Sequence, residues 1–200
     1  MVNLESQKCD LDVVILIGKP GSGKSTFASK ISQNMPDRVC HVAIGDLVRS
    51  YCSCPYKLKN CSIQNSEDLI KKIRTGETID DISELINYIE TQKLKKFLIL
   101  VDGFPRKPNQ VYEFKDIIHL PAAVLNFEVS DSIARKRLQK RGRIDDNLSG
   151  INKRLGQHRD IRNLLEKEYG ENIILKVNAE DHKEKVYHNL LKKLTSMRLI

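Results

Sequence analysis

The chain has 200 residues, 40% of them hydrophobic and 30% charged, with a formal net charge of +8. That length suits one domain with a sizeable core, and the balance excludes a mainly disordered chain. No apolar run approaches the ~20 residues that cross a bilayer, and the polar opening "MVNLESQKCDLD" does not read as a secretion or transit signal, so the expected location is the cytoplasm, with no membrane partner.

Residues 13–17 (VVILI) are a continuous apolar run, the pattern of a strand covered on both faces in a parallel sheet. The run breaks at Gly18 into "GKPGSGKS", residues 18–25, and resumes as an amphipathic helix. Such a loop turns successive backbone N–H groups inward, where the positive end of the next helix adds to their pull on an anion. The spacing G-x-x-x-x-G-K-[ST] predicts a phosphate-binding loop, with Lys24 as a point charge and Ser25 as a hydroxyl for nucleotide-borne magnesium.

Further strands are expected at 39–44, 97–101, 124–129 and 173–177, with helical stripes between them. One stripe runs through Ile82, Leu85, Ile86 and Ile89, a second through Leu148, Ile151, Leu155, Ile161 and Leu165, and a third through Val186, Leu190, Leu191, Leu194 and Met197. Residues 50–65 hold no period and read as an irregular connection into a short helix at 66–74. Five strands alternating with helices predict an α/β, doubly wound parallel sheet, which binds ligands at the carboxyl ends of its strands.

Three later loops fall at such ends or between helices. "IGDLVRS" (44–50) places Asp46 as a helix cap and Arg49 one turn in; "VDGFPR" (101–106) sets Asp102 at a strand end beside Arg106; "KRGRIDDN" (140–147) carries Arg141, Arg143, Asp145 and Asp146, with Arg154 on the following helix. So many arginines at one sheet edge exceed what one nucleotide triphosphate needs, and they point to a second phosphorylated substrate. The basic residues are otherwise scattered and no RNA-recognition motif appears, so no nucleic-acid partner is expected. The cysteines at 9, 40, 52, 54 and 61 read as free thiols, because 52, 54 and 61 lack a clear fourth ligand for zinc.

"GKPGSGKST", "GDLVR", "VDGFPRKPNQ", "RGRIDDN…KRL" and "KVNA", in that order, resemble adenylate kinase and its nucleoside monophosphate kinase relatives from about residue 13 to 194. The resemblance implies a P-loop NTPase-type core (1–43, 80–139 and 146–200) with an acceptor-binding insertion (44–79) and a short lid (140–145), in one monomeric domain. It implies that Gly21, Ser22, Gly23, Lys24, Ser25 and Thr26 wrap the ATP phosphates and that Asp181 lies against the ATP adenine. Arg49 and Arg106 would grip the acceptor phosphate. Ile44, Glu77, Thr78, Ile79 and Gly103 would line the acceptor site, and Gln110 would read the adenine of AMP through a two-way amide contact. Arg141 would belong to the lid over ATP, Arg143 and Arg154 would reach the transferring phosphoryl group, and Asp145 would orient these arginines. Lys24, Arg141, Arg143, Asp145 and Arg154 would form the catalytic set, and Ser25 and Asp102 would hold Mg²⁺ through nucleotide and water.

The implied activity is reversible, Mg-dependent transfer from ATP to AMP, giving two ADP. A UMP/CMP kinase is the alternative within the class: Gln110 argues against it and Ile44, standing where the family has threonine, leaves it open. From another class, the lid, with Gly142 alone between Arg141 and Arg143, would suit a catalytically weak nucleotide-binding regulatory protein. Ser25 also stands where the family usually has glycine.

Overall fold

The computed structural model describes residues 12–46, 98–118, 120–142 and 148–200. In chain order these form β1 (Asp12–Gly18), α1 (Lys24–Asn34), β2 (Val39–Ala43), β3 (Leu98–Asp102), α2 (Pro108–Ile118) and β4 (Ala123–Glu128). Then follow α3 (Asp131–Arg141), α4 (Leu148–Tyr169), a 3₁₀ turn at Glu171–Ile173, β5 (Ile174–Asn178) and α5 (Lys183–Ser196).

The five strands make one parallel sheet in the order β2-β3-β1-β4-β5. Each expected strand among these is present, with ends shifted by one residue: β3 runs to Asp102 and β4 starts at Ala123. The apolar runs are continuous because both faces are covered. Val14 and Leu16 of β1 pack with Phe27, Ala28 and Ile31 of α1 and Val186, Leu190 and Leu194 of α5. Val13, Ile15 and Ile17, one residue out of phase, pack with Val111 and Phe114 of α2 and Ile161 and Leu165 of α4. This period-two partition of one strand between two cores is what makes the sheet doubly wound.

From β1 the chain winds outward to β2, returns through β3, then crosses to β4 on the other side of β1. The winding reverses at β1, so the loops leaving β1, β3 and β4 diverge there and open a crevice at the carboxyl edge. The acceptor-binding insertion, with the short helix expected over 66–74, falls outside the described residues except at 44–46; so does the helical stripe expected through 82–89 of the core, and of the lid only 140–142 is described. Residues 44–46 are already helical, so Asp46 lies within that turn and does not cap it.

Candidate active site

The loop from β1 to α1 needs glycine for steric reasons that are local and measurable. At Gly21, with φ 80°, a Cβ would lie 2.6 Å from the Ala134 carbonyl oxygen of α3. At Gly18, with φ 148°, it would lie 2.7 Å from the Phe127 carbonyl oxygen of β4. Only a residue without a side chain lets the loop press against both neighbours. The N-terminus of α1 carries no side-chain cap and no acid in its first turn, so its positive end faces the loop.

Lys24 folds back over this curl. Its Nζ donates to the Gly18 carbonyl at 2.7 Å, the Lys19 carbonyl at 3.1 Å and Ser22 Oγ at 3.2 Å. Burial pushes its pKa down to about 8; Asp102 pulls it up, while Arg106, Arg141 and Arg154 push it down further. A desolvated ammonium among other cations is poised to gain from any anion that enters.

Asp102 ends β3 on the floor of the crevice and is 5% exposed. It accepts a short hydrogen bond from the Ser25 hydroxyl. Burial alone would raise its pKa, but the facing His41 ring, the Lys24 ammonium and the Ser25 hydroxyl outweigh burial and hold the carboxyl below its ordinary range. His41 Nε2, on the neighbouring strand β2, lies 3.7 Å from Asp102 Oδ2 and has no hydrogen-bond partner among the described residues. An anionic carboxylate beside a hydroxyl is an oxygen donor set suited to a hard cation such as Mg²⁺ and its water. Among the described residues no group of three or more His, Cys, Asp or Glu side chains is arranged to hold a metal; Cys9, Cys52, Cys54 and Cys61 lie outside them.

After Asp102 the chain turns through Gly103 and a cis Phe104–Pro105 peptide, and Phe104 packs edge-on against Phe114 of α2 with ring centroids 5.2 Å apart. That anchor sets Arg106, whose Nε donates to the Gly103 carbonyl at 2.7 Å. Opposite, Arg137 of α3 donates to the Ala179 carbonyl at 2.9 Å and reaches the Gly21 carbonyl at 3.5 Å, tying the glycine loop to the loop after β5.

The crevice encloses about 510 Å³. Of the residues expected at the site, Gly21, Gly23, Lys24, Ser25, Thr26, Asp102, Gly103, Arg106, Arg141, Arg154 and Asp181 line it. Ser22 lies beneath the loop, fully buried. Ile44 is half-buried, packed against the core on the α2/α4 face. Gln110 is 3% exposed, and its Oε1 accepts from the Arg106 and Lys107 backbone N–H groups at 2.9 and 3.3 Å. The amide oxygen expected to meet adenine therefore caps the entry to α2. Arg49, Glu77, Thr78, Ile79, Arg143 and Asp145 lie outside the described residues.

Besides Lys140, Gln157 and Lys183 on its wall, the crevice and its floor hold three polar residues that no sequence motif marks: His41, Arg137 and His158. Arg137 had a signal, since it sits one helical turn before Arg141 on the same face. Among the described residues, seven basic side chains against three carboxylates line the crevice, an excess that favours a polyanion.

The adenylate kinase family model matches residues 16–174. The chain belongs to the adenylate kinase family. It is 30% identical over 185 residues to an adenylate kinase of Corynebacterium glutamicum, covering 90% of this chain and 98% of that protein. It is likewise 30% identical over 149 residues to an adenylate kinase of Nautilia profundicola, covering 70% and 73%. Similarity to adenylate kinase isoenzyme 5 of Mus musculus, 30% over 187 residues, covers 89% of this chain but 32% of that protein's length. As a member of the family the chain is a nucleotide-binding phosphotransferase, and its five parallel strands and glycine loop are those of a P-loop kinase core. Among the described residues no helix is long and apolar enough to cross a membrane.

Proposed function

We propose that the protein transfers the terminal phosphoryl group of ATP to AMP, reversibly and with Mg²⁺, giving two ADP. The observation that carries this reading is a basic crevice that pairs the glycine loop with Arg106 and Arg154, one cation set for each of two phosphorylated ligands. Phosphoryl transfer asks for alignment and for neutralisation of spread negative charge more than for covalent chemistry. Lys24 exchanges three neutral acceptors for phosphate oxygens and stabilises the charge that builds on the transferring group. Arg154 and Arg141 flank that group from α4 and α3, with Arg143 and Asp145 completing the set, and Arg106 with Arg49 holds the acceptor phosphate. Ser25 and Asp102 fit Mg²⁺ carried on the nucleotide, which when bound supplies further neutralisation of phosphate charge. The chain works as a single monomeric domain, with 44–79 binding the acceptor and 140–145 closing over ATP.

A coupled assay of ATP against AMP, CMP, UMP and GMP, with and without Mg²⁺, tests this directly. AMP should be the fastest acceptor and activity should vanish with chelator. Faster turnover of CMP or UMP replaces AMP with a pyrimidine acceptor, a result that Ile44 and the inward-turned Gln110 oxygen would explain. No transfer to any acceptor would leave a nucleotide-binding regulator.

A further inference from the structure

The buried face of α4 changes character where it crosses the crevice. Ile151, Arg154, His158, Ile161 and Leu165 follow one another at three- and four-residue steps, so they share a face. Ile151 and Leu165 are buried at its ends and Ile161 is buried at the crevice edge, whereas Arg154 and His158 line the crevice between Ile151 and Ile161. Ten residues of helix, about 15 Å, thus separate the apolar anchors. Arg154 sits within that span.

His158 ties the span to the sheet. Its Nε2 lies 3.2 Å from Oδ1 of Asn126, a residue of β4 that is 2% exposed. A polar side chain inside a central strand is costly unless hydrogen-bonded. Asn126 spends its other end as well, because its Nδ2 donates to Glu128 Oε1 at 3.2 Å. A carboxylate can only accept, so the Asn126 amide has one orientation, with its oxygen toward the ring. The ring nitrogen facing it must then carry the proton.

We propose that His158 is a positioning residue for phosphoryl transfer: held by Asn126 as the Nε2–H tautomer, it fixes the roll of α4 and so aims Arg154 at the transferring phosphoryl group. The proposal rests on the reading of Arg154 given above. The ring stays neutral across the working range, since burial, then Lys24, Lys19 and Arg162, push its pKa down to about 4. Lys19 faces it from the glycine loop and Lys24 from α1, Arg162 from its own helix, and Asn126 with Glu128 from β4. A neutral tie keeps the same geometry between pH 5 and 8 and adds no cation to a crevice already rich in them.

The test is a set of kinetic variants with one spectroscopic check. His158→Phe keeps the ring and removes the N–H; kcat should fall by about ten- to a hundredfold, the scale of a small misplacement of a reacting group, with the KM for ATP moving less than about threefold. Asn126→Leu should reproduce that fall. His158→Gln, which can still donate to Asn126, should recover most of the rate. In an Arg154→Ala background, His158→Phe should cost nothing more, because a residue acting through another is silent once the other is gone. Near-wild-type kcat in a folded His158→Phe protein, or an equal loss in the Arg154→Ala background, overturns the proposal. Long-range ¹H–¹⁵N correlation spectra of the wild-type protein should show His158 as the Nε2–H tautomer at pH 6–8; an Nδ1–H tautomer or an imidazolium there also overturns it. Absence of transfer by the wild-type protein would instead sink the kinase reading, and the proposal with it.

Discussion

Lys24 keeps its charge in a place that opposes it, and that tension separates function from stability. Burial pushes its pKa from 10.5 in an open chain to about 8 in the folded protein. Between these values the unfolded chain binds more protons than the folded one, so this group adds stability as pH rises from about 8 toward 10.5 and opposes folding most below 8. Lys24→Met should therefore lower kcat by orders of magnitude, as expected when a preorganised charge at a transferring phosphoryl is removed. It should also raise, not lower, the melting temperature of the nucleotide-free protein at pH 7. That gain should shrink when the melts are repeated at pH 9 and 10. Near-normal turnover would remove Lys24 from the mechanism, and a lower melting temperature at pH 7 would show that its three hydrogen bonds outweigh its desolvation.

Two elements owe their shape to residues that do more than one task. The N-terminal entry to α2 is held by Gln110 Oε1, which accepts from two backbone N–H groups. Gln110→Ala leaves both without that partner and should destabilise the protein by about 1–2 kcal/mol in denaturant titrations. Gln110→Glu keeps an acceptor and should keep stability. If the amide donors read the adenine of AMP, the same Glu variant should still raise the KM for AMP; an unchanged KM would leave Gln110 a cap and nothing more. In α4, Gly156 sits mid-helix with open space where a Cβ would go. Gly156→Ala should stabilise by about 0.4–1 kcal/mol through the unfolded chain's lost freedom. A destabilised Ala variant would mean that α4 bends at this residue.

At the scale of the molecule, the basic excess is concentrated where the sheet reverses its winding. Among the described residues, seven basic side chains against three carboxylates in this crevice make nucleotide capture electrostatic. Raising ionic strength from 0.1 to 1 M shortens the screening length from about 10 to about 3 Å, so the KM for both nucleotides should rise several-fold while kcat changes less. A salt-independent KM would show that short-range hydrogen bonds, not the collective field, set affinity.

Much of this architecture was legible in the residues themselves. The runs at 13–17 and 98–101 announce central strands because both of their faces are buried, and period two disappears when no face meets water. The glycine loop was legible because backbone curvature and close approach leave no other residue a choice at Gly18 and Gly21. Asp102, Arg106 and Arg154 followed from motif and position, and the structure brings them to the one crevice. Polar side chains were another matter. His41 meets Asp102 only because β2 pairs with β3 in the register that sets Ala43 beside Asp102. The Gln110 oxygen turned to the backbone for reasons of capping that no local period encodes. The apolar stripe of α4 runs through Leu155, whereas the face over the crevice runs through Arg154 and His158, because a stripe of apolar letters cannot register where a helix crosses an opening. The sequence by itself determined which segments are strands, which loop bends for phosphate and which family the motifs resemble, since each of these rests on neighbours along the chain. Only the tertiary structure decided which polar groups face the ligand and which hold the scaffold, because a hydrogen bond between residues such as Asn126 and His158 exists only once β4 and α4 have packed.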